Sequence, residues 1–272
     1  MTREGLMLKA DKWTCQLYNI VSVICSPVTK KNKLIMERNR ELKASLGNGV
    51  CFILGNGPSL NDVNIECIKN YTIFTVNFFF KGDVKIEPKY HVMIDSLFFE
   101  KEFTYMQNLV REHRETRFIL PVEIMKNPKF KEMSDEEKAR MYFVQADLKT
   151  YSEYMQFDMT KKMTVSMNVL PFAIQCALYM GFSEIYLMGY EFGLYAPIAT
   201  GHFYNPACEV TQPSDTAENL LRGAIVQRHN WAIAEYCRRN NIIIKNLTPQ
   251  SYIKAYPMCD FDETIMDLEK RK

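Results

Sequence analysis

The chain alternates short apolar runs with longer stretches in which apolar residues recur at helical spacing. The short runs predict six β-strands, at 50–54, 73–77, 90–94, 117–120, 184–188 and 242–245. Most are apolar throughout, as is typical of strands buried on both faces of a sheet. Helical patterns occupy 31–45, 97–112, 134–141, 168–180 and 216–240. This alternation predicts an α/β fold, a Rossmann-like and mostly parallel sheet with helices on both faces.

The composition fits a globular protein with a sizeable core, since 47% of the 272 residues are hydrophobic. We divide the chain into a basic helical N-terminal extension at 1–48, a Rossmann-like domain at 49–257 and a charged C-terminal tail at 258–272. The net charge of +2 gives no global field that would attract nucleic acid, so we expect no nucleic-acid partner.

The charge is unevenly distributed, because residues 1–50 carry nine basic and four acidic side chains. An uncharged stretch at 13–29 is followed by Lys30, Lys31 and Lys33. This pattern has two interpretations, a helix packed on the body of the protein or a helix in peripheral contact with an anionic membrane, and we favour the first. A second uncharged stretch, at 163–183, contains too many polar residues for a membrane span and predicts a buried helix.

The eight cysteines are scattered, with no pair or Cys/His cluster at zinc spacing. Charged residues occupy the N-terminal positions where a signal peptide would be apolar. We therefore expect reduced thiols and a cytoplasmic location, with the inner face of the membrane as the alternative.

Polar residues follow four of the predicted strands, at the positions where parallel sheets bind their ligands. These residues are Gly55, Asn56, Gly57, Pro58 and Ser59 after the first strand, Asn77 after the second, Asp95 and Ser96 after the third, and Gly189 and Glu191 after the fifth. They come from distant parts of the chain and would meet at one rim of the sheet.

The segment Gly55–Leu60 predicts a tight turn into a helix. Glycines permit close approach of a ligand, and Pro58 suits the first turn of a helix whose free N–H groups favour an anion. The segment matches neither the dinucleotide fingerprint nor the P-loop. It predicts either nucleotide contact or a plain strand-to-helix turn, and both interpretations stay open.

A second candidate anion site precedes the long uncharged helix. Thr164, Ser166 and Asn168 are all residues that cap helices, and the helix start would favour a phosphate. Simple capping of a core helix explains the same pattern equally well.

His202 lies in a loop after the fifth strand, and Tyr190, Tyr195 and Tyr204 are close in sequence. A histidine at the ligand rim can act as a general base near neutral pH, although surface histidines are common in loops. The Asp260–Asp262 pair matches a metal-binding pattern of sugar-nucleotide transferases, but its position in the tail favours a solvated acidic patch. We assign no metal site.

Four segments together resemble bacterial family 42 sialyltransferases. They are GNGPSL at 55–60, IFTVN at 73–77, DSLFFE at 95–100 and AIQCALYMGFSEIYLMGYEF at 173–192. The resemblance covers roughly residues 50 to 256. The chain is also similar to the broader group that contains motility-accessory glycosyltransferases and an archaeal hydroxymethyl-dihydropterin pyrophosphokinase, especially in its closing segment at 246–257.

The sialyltransferase resemblance implies a CMP-linked sugar donor, inversion at the anomeric carbon and no required metal or cofactor. By position, Asn56 and Gly57 would contact the donor's phosphate and ribose, and Asn77 would hold the donor near the reacting carbon. His202 would deprotonate the acceptor. Tyr195, with either Tyr190 or Tyr204, would donate hydrogen bonds to the leaving phosphate.

The chain departs from that family in three features. The family's Thr-Ser-Gly before the long helix is not reproduced, and its Gly-Ile-Asp-Phe is Gly189-Tyr190-Glu191-Phe192 here. The family's spacing from that motif to its histidine is also longer than the interval to His202 here. The function predicted is therefore a glycosyltransferase, with sialic or another nonulosonic acid as one donor sugar and a bacterial surface glycan or glycolipid as acceptor. The alternatives are a Mg²⁺-dependent diphosphotransferase with Asp95 and Glu191 as metal ligands, and a non-catalytic nucleotide-binding protein. A homo-oligomer is compatible with each.

Overall fold

The computed structural model describes residues 3–43, 49–83, 86–95, 97–148, 155–193 and 216–271. Its centre is one sheet of eight strands, all parallel. The strands are β1 (Val50–Leu54), β2 (Thr72–Val76), β3 (Tyr90–Val92), β4 (Arg117–Pro121), β5 (Met141–Leu148), β6 (Lys162–Thr164), β7 (Glu184–Met188) and β8 (Ile243–Asn246).

The strand order is β6-β5-β4-β3-β2-β1-β7-β8. From β1 the chain builds the sheet outward in one direction as far as β6 and then crosses back to place β7 on the other side of β1. In register, Leu54 pairs with Thr75 of β2 and with Met188 of β7. The topological switch point therefore lies between β1 and β7, the place where open parallel sheets bind their ligands.

Nine α-helices lie in the described ranges. They are α1 (Arg3–Cys25), α2 (Lys30–Glu37), α3 (Arg40–Lys43), α4 (Leu97–Glu100), α5 (Phe103–Glu112), α6 (Asp135–Ala139), α7 (Val169–Met180), α8 (Thr216–Arg239) and α9 (Phe261–Lys270). Short 3₁₀ helices, including Pro58–Asp62, fill several of the connections. Among these helices none is both long and apolar enough to cross a membrane.

Both faces of the sheet are buried, which explains the continuous apolar runs. Along β1, Cys51 and Ile53 pack on one face against α7, while Phe52 and Leu54 pack on the other face against α9. Helix α7 is almost entirely buried, as expected for a core helix with no charged residue. The predicted Rossmann-like α/β fold is confirmed, and the sheet is wholly parallel.

The six predicted strands are present within one or two residues, but β5 and β6 were not predicted. Strand β5 contains Gln145 and Asp147, so its apolar run is interrupted, and β6 has only three residues. The predicted helix at 97–112 is divided into α4 and α5. The helix at 31–45 is divided into α2 and α3, with 44–48 outside the described residues.

The C-terminal segment differs from the predicted solvated tail. Asp260 caps α9, since its side chain accepts a hydrogen bond from the backbone N–H of Glu263 at 3.0 Å. Phe261, Ile265 and Leu268 of this helix are buried in the core beside β1. The acidic residues of the segment occupy the outer face and the first turn of a packed amphipathic helix. The prediction of a solvated tail was wrong because it rested on these charges and not on the apolar residues between them.

Candidate functional site

Two adjoining cavities lie at the carboxyl edge of the sheet. The smaller, of about 140 Å³, lies at the switch point between the loops that follow β1 and β7. The larger, of about 1000 Å³, lies beyond β3, β4 and β5. Asn77, Asn168 and Val169 line both, so the two cavities adjoin at these residues. We call the smaller the switch-point cavity and the larger the outer cleft.

The loops after β1 and β7 are joined by backbone hydrogen bonds. Gly55 donates its N–H to the Met188 carbonyl oxygen at 2.8 Å, and Gly57 donates to the Gly189 carbonyl oxygen at 2.9 Å. A Cβ atom at Gly55 would lie only 2.3 Å from that Gly189 oxygen. Gly189 itself has a φ of 63°, in the left-handed region that favours glycine. Close approach of the two loops therefore explains Gly55, and backbone conformation explains Gly189.

Glu191 lines the switch-point cavity. Its Oε1 atom accepts a hydrogen bond from the backbone N–H of Ser59 at 2.8 Å. The residue is only 8% exposed. Pro58 and Ser59 belong to the first turn of a 3₁₀ helix, and the Ser59 N–H of that turn is occupied by the protein's own carboxylate. This contact supports the interpretation as a strand-to-helix turn at Ser59, while nucleotide contact at Asn56 and Gly57 stays a prediction.

The Asn77 backbone is held in the left-handed region, with a φ of 46°, directly after β2. Asparagine tolerates this conformation better than most residues. The Asn77 carbonyl oxygen lies 3.0 Å from Nε2 of the buried His91, and Nδ1 of the same ring lies 2.8 Å from the Thr75 hydroxyl. Because a carbonyl oxygen can only accept, Nε2 carries the proton and Nδ1 accepts from Thr75.

Burial lowers the pKa of His91 to about 3, so its ring is neutral at physiological pH. The neutral ring suits its two contacts, with one nitrogen donating and the other accepting. His91 therefore positions the Asn77 backbone from beneath the cleft. The link between His91 and Asn77 could not be predicted, because a strand pattern does not show which side-chain atoms meet.

Three buried oxygen atoms around the switch-point cavity have no hydrogen-bond partner within the described ranges. They are Oδ1 of Asn56, Oδ1 of Asn77 and Oε2 of Glu191. All three residues line the cavity. Unpaired buried acceptors are costly, about 1–3 kcal/mol each and more for a charged group. Their convergence favours a ligand rich in hydroxyl or amino donors.

The N-terminus of α7 points toward the junction of the two cavities. Asn168 caps the helix, its Oδ1 accepting from the Leu170 N–H at 2.9 Å. Asn168 and Val169 line both cavities. The positive end of a twelve-residue helix therefore faces the junction, where it would favour a negatively charged group.

Thr164 and Ser166 are used mainly for structure. Thr164 is fully buried in β6, and its hydroxyl oxygen accepts from the Gln156 N–H at 3.2 Å. Ser166 accepts from Nε2 of the buried Gln175 at 3.2 Å, although it also lines the outer cleft. Thr164 lines neither cavity, so the structure does not bring it to the predicted ligand position.

Tyr190 lines the switch-point cavity, but its hydroxyl is engaged in a hydrogen bond of the core. Tyr190 is buried, and its hydroxyl oxygen accepts from Nδ2 of Asn230 in α8 at 2.9 Å. The Tyr256 hydroxyl donates to the other side of that amide, at 2.8 Å. Because Tyr190 is turned toward α8, its expected role as a hydrogen-bond donor to the ligand is not supported by this geometry. Spacing along the chain carries no signal for this core network.

Four predicted site residues lie outside the described residues: Ser96, Tyr195, His202 and Tyr204. Three of them belong to 194–215, which follows Gly193 in the sequence, and Gly193 is the last described residue there and lines the switch-point cavity.

The outer cleft contains residues that sequence analysis did not single out. Besides Asp95, its charged residues are Glu100, Glu123 and Lys126. Asn127 and Pro128 complete the side formed by the loop after β4. Glu123, Lys126, Asn127 and Pro128 could have been predicted, because they follow β4 and residues after a parallel strand lie at the ligand-binding edge of the sheet. Throughout the described part of the chain, no group of three His, Cys, Asp or Glu side chains is arranged to hold a metal ion.

A wholly parallel sheet with a polar crevice at its switch point defines the chain as a Rossmann-like α/β protein with its candidate ligand site at the carboxyl edge. Residues 27–196 match the family model described as 6-hydroxymethylpterin diphosphokinase MptE-like, and the chain belongs to this MptE-like family. The broader of the two resemblances is thereby confirmed.

Among solved structures, the chain is similar to the MAf glycosyltransferase from Magnetospirillum magneticum AMB-1, with 16% sequence identity and a TM-score of 0.48. The similarity covers 88% of this chain and 41% of that protein, so the chain spans about two fifths of the glycosyltransferase's length. No curated protein matches the chain.

Proposed function

We propose that the protein is a glycosyltransferase that binds a nucleotide-linked sugar at the switch point and transfers the sugar to an acceptor in the outer cleft. The observation that carries this proposal is the convergence of three unpaired buried acceptors, from Asn56, Asn77 and Glu191, on one cavity beside a helix N-terminus. A nucleotide presents the complementary chemistry, since its ribose offers hydroxyl donors and its phosphate a negative charge.

The ribose of the donor fits the switch-point cavity. A volume of about 140 Å³ corresponds to roughly five water molecules at ~30 Å³ each, enough for a sugar ring but not for a whole nucleotide. Glu191 Oε2 and Asn56 Oδ1 would accept from the ribose hydroxyls, as an acidic residue does in many dinucleotide-binding folds. The phosphate would lie toward Asn168 and the N-terminus of α7.

The outer cleft is large enough for the transferred sugar and an acceptor glycan. Its carboxylates, from Asp95, Glu100 and Glu123, can accept hydrogen bonds from sugar hydroxyls. Asn77 lines both cavities and would lie where donor and acceptor meet.

In the proposed reaction, an acceptor hydroxyl oxygen bonds to the anomeric carbon while the bond from that carbon to the phosphate oxygen breaks. His202 takes the hydroxyl proton, and the nucleotide leaves with the bonding electron pair. Attack opposite to the leaving group inverts the anomeric centre. Tyr195 and Tyr204 are the remaining candidates for hydrogen bonds to the departing phosphate.

A CMP-linked nonulosonic acid is the donor that the sequence resemblance favours. A monophosphate leaving group carries less charge than a diphosphate, which is consistent with a metal-independent reaction. The proposed acceptor is a bacterial surface glycan or glycolipid, and the proposed location is the cytoplasm or the inner face of the membrane.

The second candidate is diphosphate transfer from ATP, the activity in the name of the family to which the chain belongs. The unpaired carboxylate oxygen of Glu191 and the carboxylate of Asp95 in the adjoining cleft favour it, because oxygen ligands of this kind suit Mg²⁺. Mg²⁺ would neutralise charge on the transferring phosphates.

Nucleotide release separates the two candidates. The full chain is incubated with CMP-, UDP- and GDP-linked sugars in EDTA and in Mg²⁺, and with ATP plus a hydroxymethylpterin under the same conditions. Release of CMP from its sugar in EDTA would support the proposal. Release of UDP or GDP would support a glycosyltransferase while contradicting the CMP donor. Mg²⁺-dependent formation of AMP from ATP would support diphosphate transfer and contradict sugar transfer.

A further inference from the structure

Helix α1 contacts the body of the protein through its polar side. The Tyr18 hydroxyl donates to Asp147 Oδ1 at 3.0 Å, and the Ser22 hydroxyl donates to Asp147 Oδ2 at 2.8 Å. The ammonium group of the buried Lys162 donates to the Ser22 carbonyl oxygen at 3.0 Å. Ser22 is the one buried residue among the α1 side chains that the structure describes. This is the reverse of an ordinary surface helix, which turns its apolar side inward.

The outward side of α1 is apolar. Trp13 is 69% exposed and Ile24 is 71% exposed. Leu17 and Ile20, which lie between them, and Leu6, which precedes them, are also exposed. These five residues are spaced by seven, four, three and four positions, so they form one stripe along the helix. Val21 and Val23, also exposed, widen the stripe near its C-terminal end. A contiguous apolar surface of this kind marks an interaction site.

Basic residues flank the apolar stripe. The first 33 residues contain six basic and two acidic side chains. Lys9 is exposed in the N-terminal half of α1, and Lys30, Lys31 and Lys33 are exposed in α2, directly after it. Leu34 is exposed among these lysines. The surface therefore combines apolar side chains with an excess of positive charge.

We propose that α1 is a docking helix that lies in the plane of an anionic bilayer, with its apolar stripe among the acyl chains and the flanking lysines at the lipid phosphates. An exposed tryptophan suits the boundary between acyl chains and headgroups. A second copy of the chain fits this surface less well, because it would bring two sets of positive charges together, whereas an anionic lipid surface complements them.

The docking helix is anchored close to the outer cleft. Asp147, which holds Tyr18 and Ser22, directly follows Ala146, and Ala146 lines the outer cleft. A bilayer bound by α1 would therefore lie near the outer cleft. If the protein is the proposed glycosyltransferase, this placement favours an acceptor carried by a lipid; this consequence alone rests on the proposed function.

Vesicle sedimentation of the full chain tests the docking helix without reference to activity. Vesicles of phosphatidylcholine alone are compared with vesicles that also contain phosphatidylglycerol. We expect the protein to sediment with the anionic vesicles and to be released by salt. Changing Lys30, Lys31 and Lys33 together to glutamine should lower partition by roughly a hundredfold, at about 1 kcal/mol per lysine.

Trp13→Ser tests the apolar stripe, and Trp231→Ser is its matched control, since Trp231 is 57% exposed on α8. We expect the first variant to lose most vesicle binding and the second to keep it, with both retaining the wild-type thermal unfolding midpoint. The proposal would be overturned if the wild-type protein sedimented with neither kind of vesicle. Equal sedimentation with both vesicles would also overturn it, as would a concentration-dependent dimer that Trp13→Ser disrupts in a protein that binds no vesicle.

Discussion

The carboxylate of Glu191 lies directly against Gly57, so closely that a Cβ atom on Gly57 would be 1.4 Å from Oε2 of Glu191. The Gly57 backbone has a φ of −74° and a ψ of 149°, which any residue can adopt. Space, not backbone conformation, therefore requires a glycine here. The pair joins the loop after β1 to the loop after β7 and sets the shape of the switch-point cavity.

Gly57→Ala should displace the Glu191 side chain and destabilise the protein by about 1–3 kcal/mol, the usual cost of overpacking. The change should also weaken nucleotide binding, because Oε2 would leave the cavity. Urea unfolding measures the first effect and calorimetry the second.

The double variant Gly57→Ala with Glu191→Ala isolates the contact between the two residues. Removing the carboxylate makes room for the methyl group, so the cost of the double variant should be smaller than the sum of the two single costs by about 1 kcal/mol or more. Strictly additive costs would show that the two side chains do not compete for the same space.

Asn77→Gly should weaken nucleotide binding by roughly twofold to tenfold, the value of one neutral hydrogen bond. Glycine keeps the backbone at the φ of 46° without strain, so the free energy of unfolding should change by less than about 1 kcal/mol. Asn241→Gly is the matched control, since Asn241 has a φ of 54° in the exposed turn before β8. Equal losses of nucleotide affinity in the two variants would show that the Asn77 side chain does not contact the nucleotide.

His91 should make the protein less stable as the pH falls below about 6.5. Burial lowers its folded-state pKa to about 3, so between these values the unfolded state binds one more proton than the folded state. Stability contributed by the neutral ring is complete above about pH 6.5 and declines by about 1.4 kcal/mol per pH unit toward pH 3.

The His91→Gln variant measures this contribution. Between about pH 6 and pH 5 its urea-unfolding free energy should fall by about 1 kcal/mol less than that of the wild type. Burial also lowers the pKa of His229, to about 4, so the variant should retain part of the pH dependence. A variant with the wild-type slope would contradict a neutral, buried His91.

Phe261→Ala should destabilise the protein by about 3–5 kcal/mol, because Phe261 is only 7% exposed in the core beside β1. Met266→Ala on the outer side of the same helix should change stability by less than about 0.5 kcal/mol, since Met266 is half exposed. Similar small effects for both would support the predicted solvated tail and contradict a packed α9.

His202→Ala should lower kcat by about 10²- to 10⁴-fold while leaving donor affinity nearly unchanged, as expected for removal of a general base. Steady-state release of nucleotide from the donor sugar provides the measurement. His113→Ala is the control, because His113 caps the C-terminus of α5, contacts Glu87 and lines neither cavity of the candidate site. Unchanged turnover in His202→Ala would remove this residue from the mechanism.

The fold could be predicted largely from the sequence, because β1, β2, β4 and β7 are buried on both faces and read as continuous apolar runs. Strands β5 and β6 could not be, since Gln145, Asp147 and Lys162 interrupt their apolar pattern. Asp147 and Lys162 bind the polar side of α1, and the Gln145 side chain accepts a hydrogen bond from Asn32 of α2.

The rim of the candidate site was also predictable, because parallel strands bring Gly55, Asn77 and Glu191 to one edge. The contacts that each residue makes could not be predicted. Whether Ser59 donates to a phosphate or to Glu191, and whether Tyr190 faces the ligand or Asn230, depends on side-chain directions that spacing along the chain does not encode.

Calorimetric titration of CMP in EDTA, with the wild type and Glu191→Gln side by side, tests the central claim most directly. The substitution keeps the side-chain size and an oxygen for Ser59 but removes the charged acceptor from the cavity. We expect the wild type to bind CMP without metal and the variant to bind about 10- to 100-fold more weakly, as for loss of a hydrogen bond to a charged group. Equal affinity in both proteins, or no binding by either, would contradict a nucleotide site at the switch point.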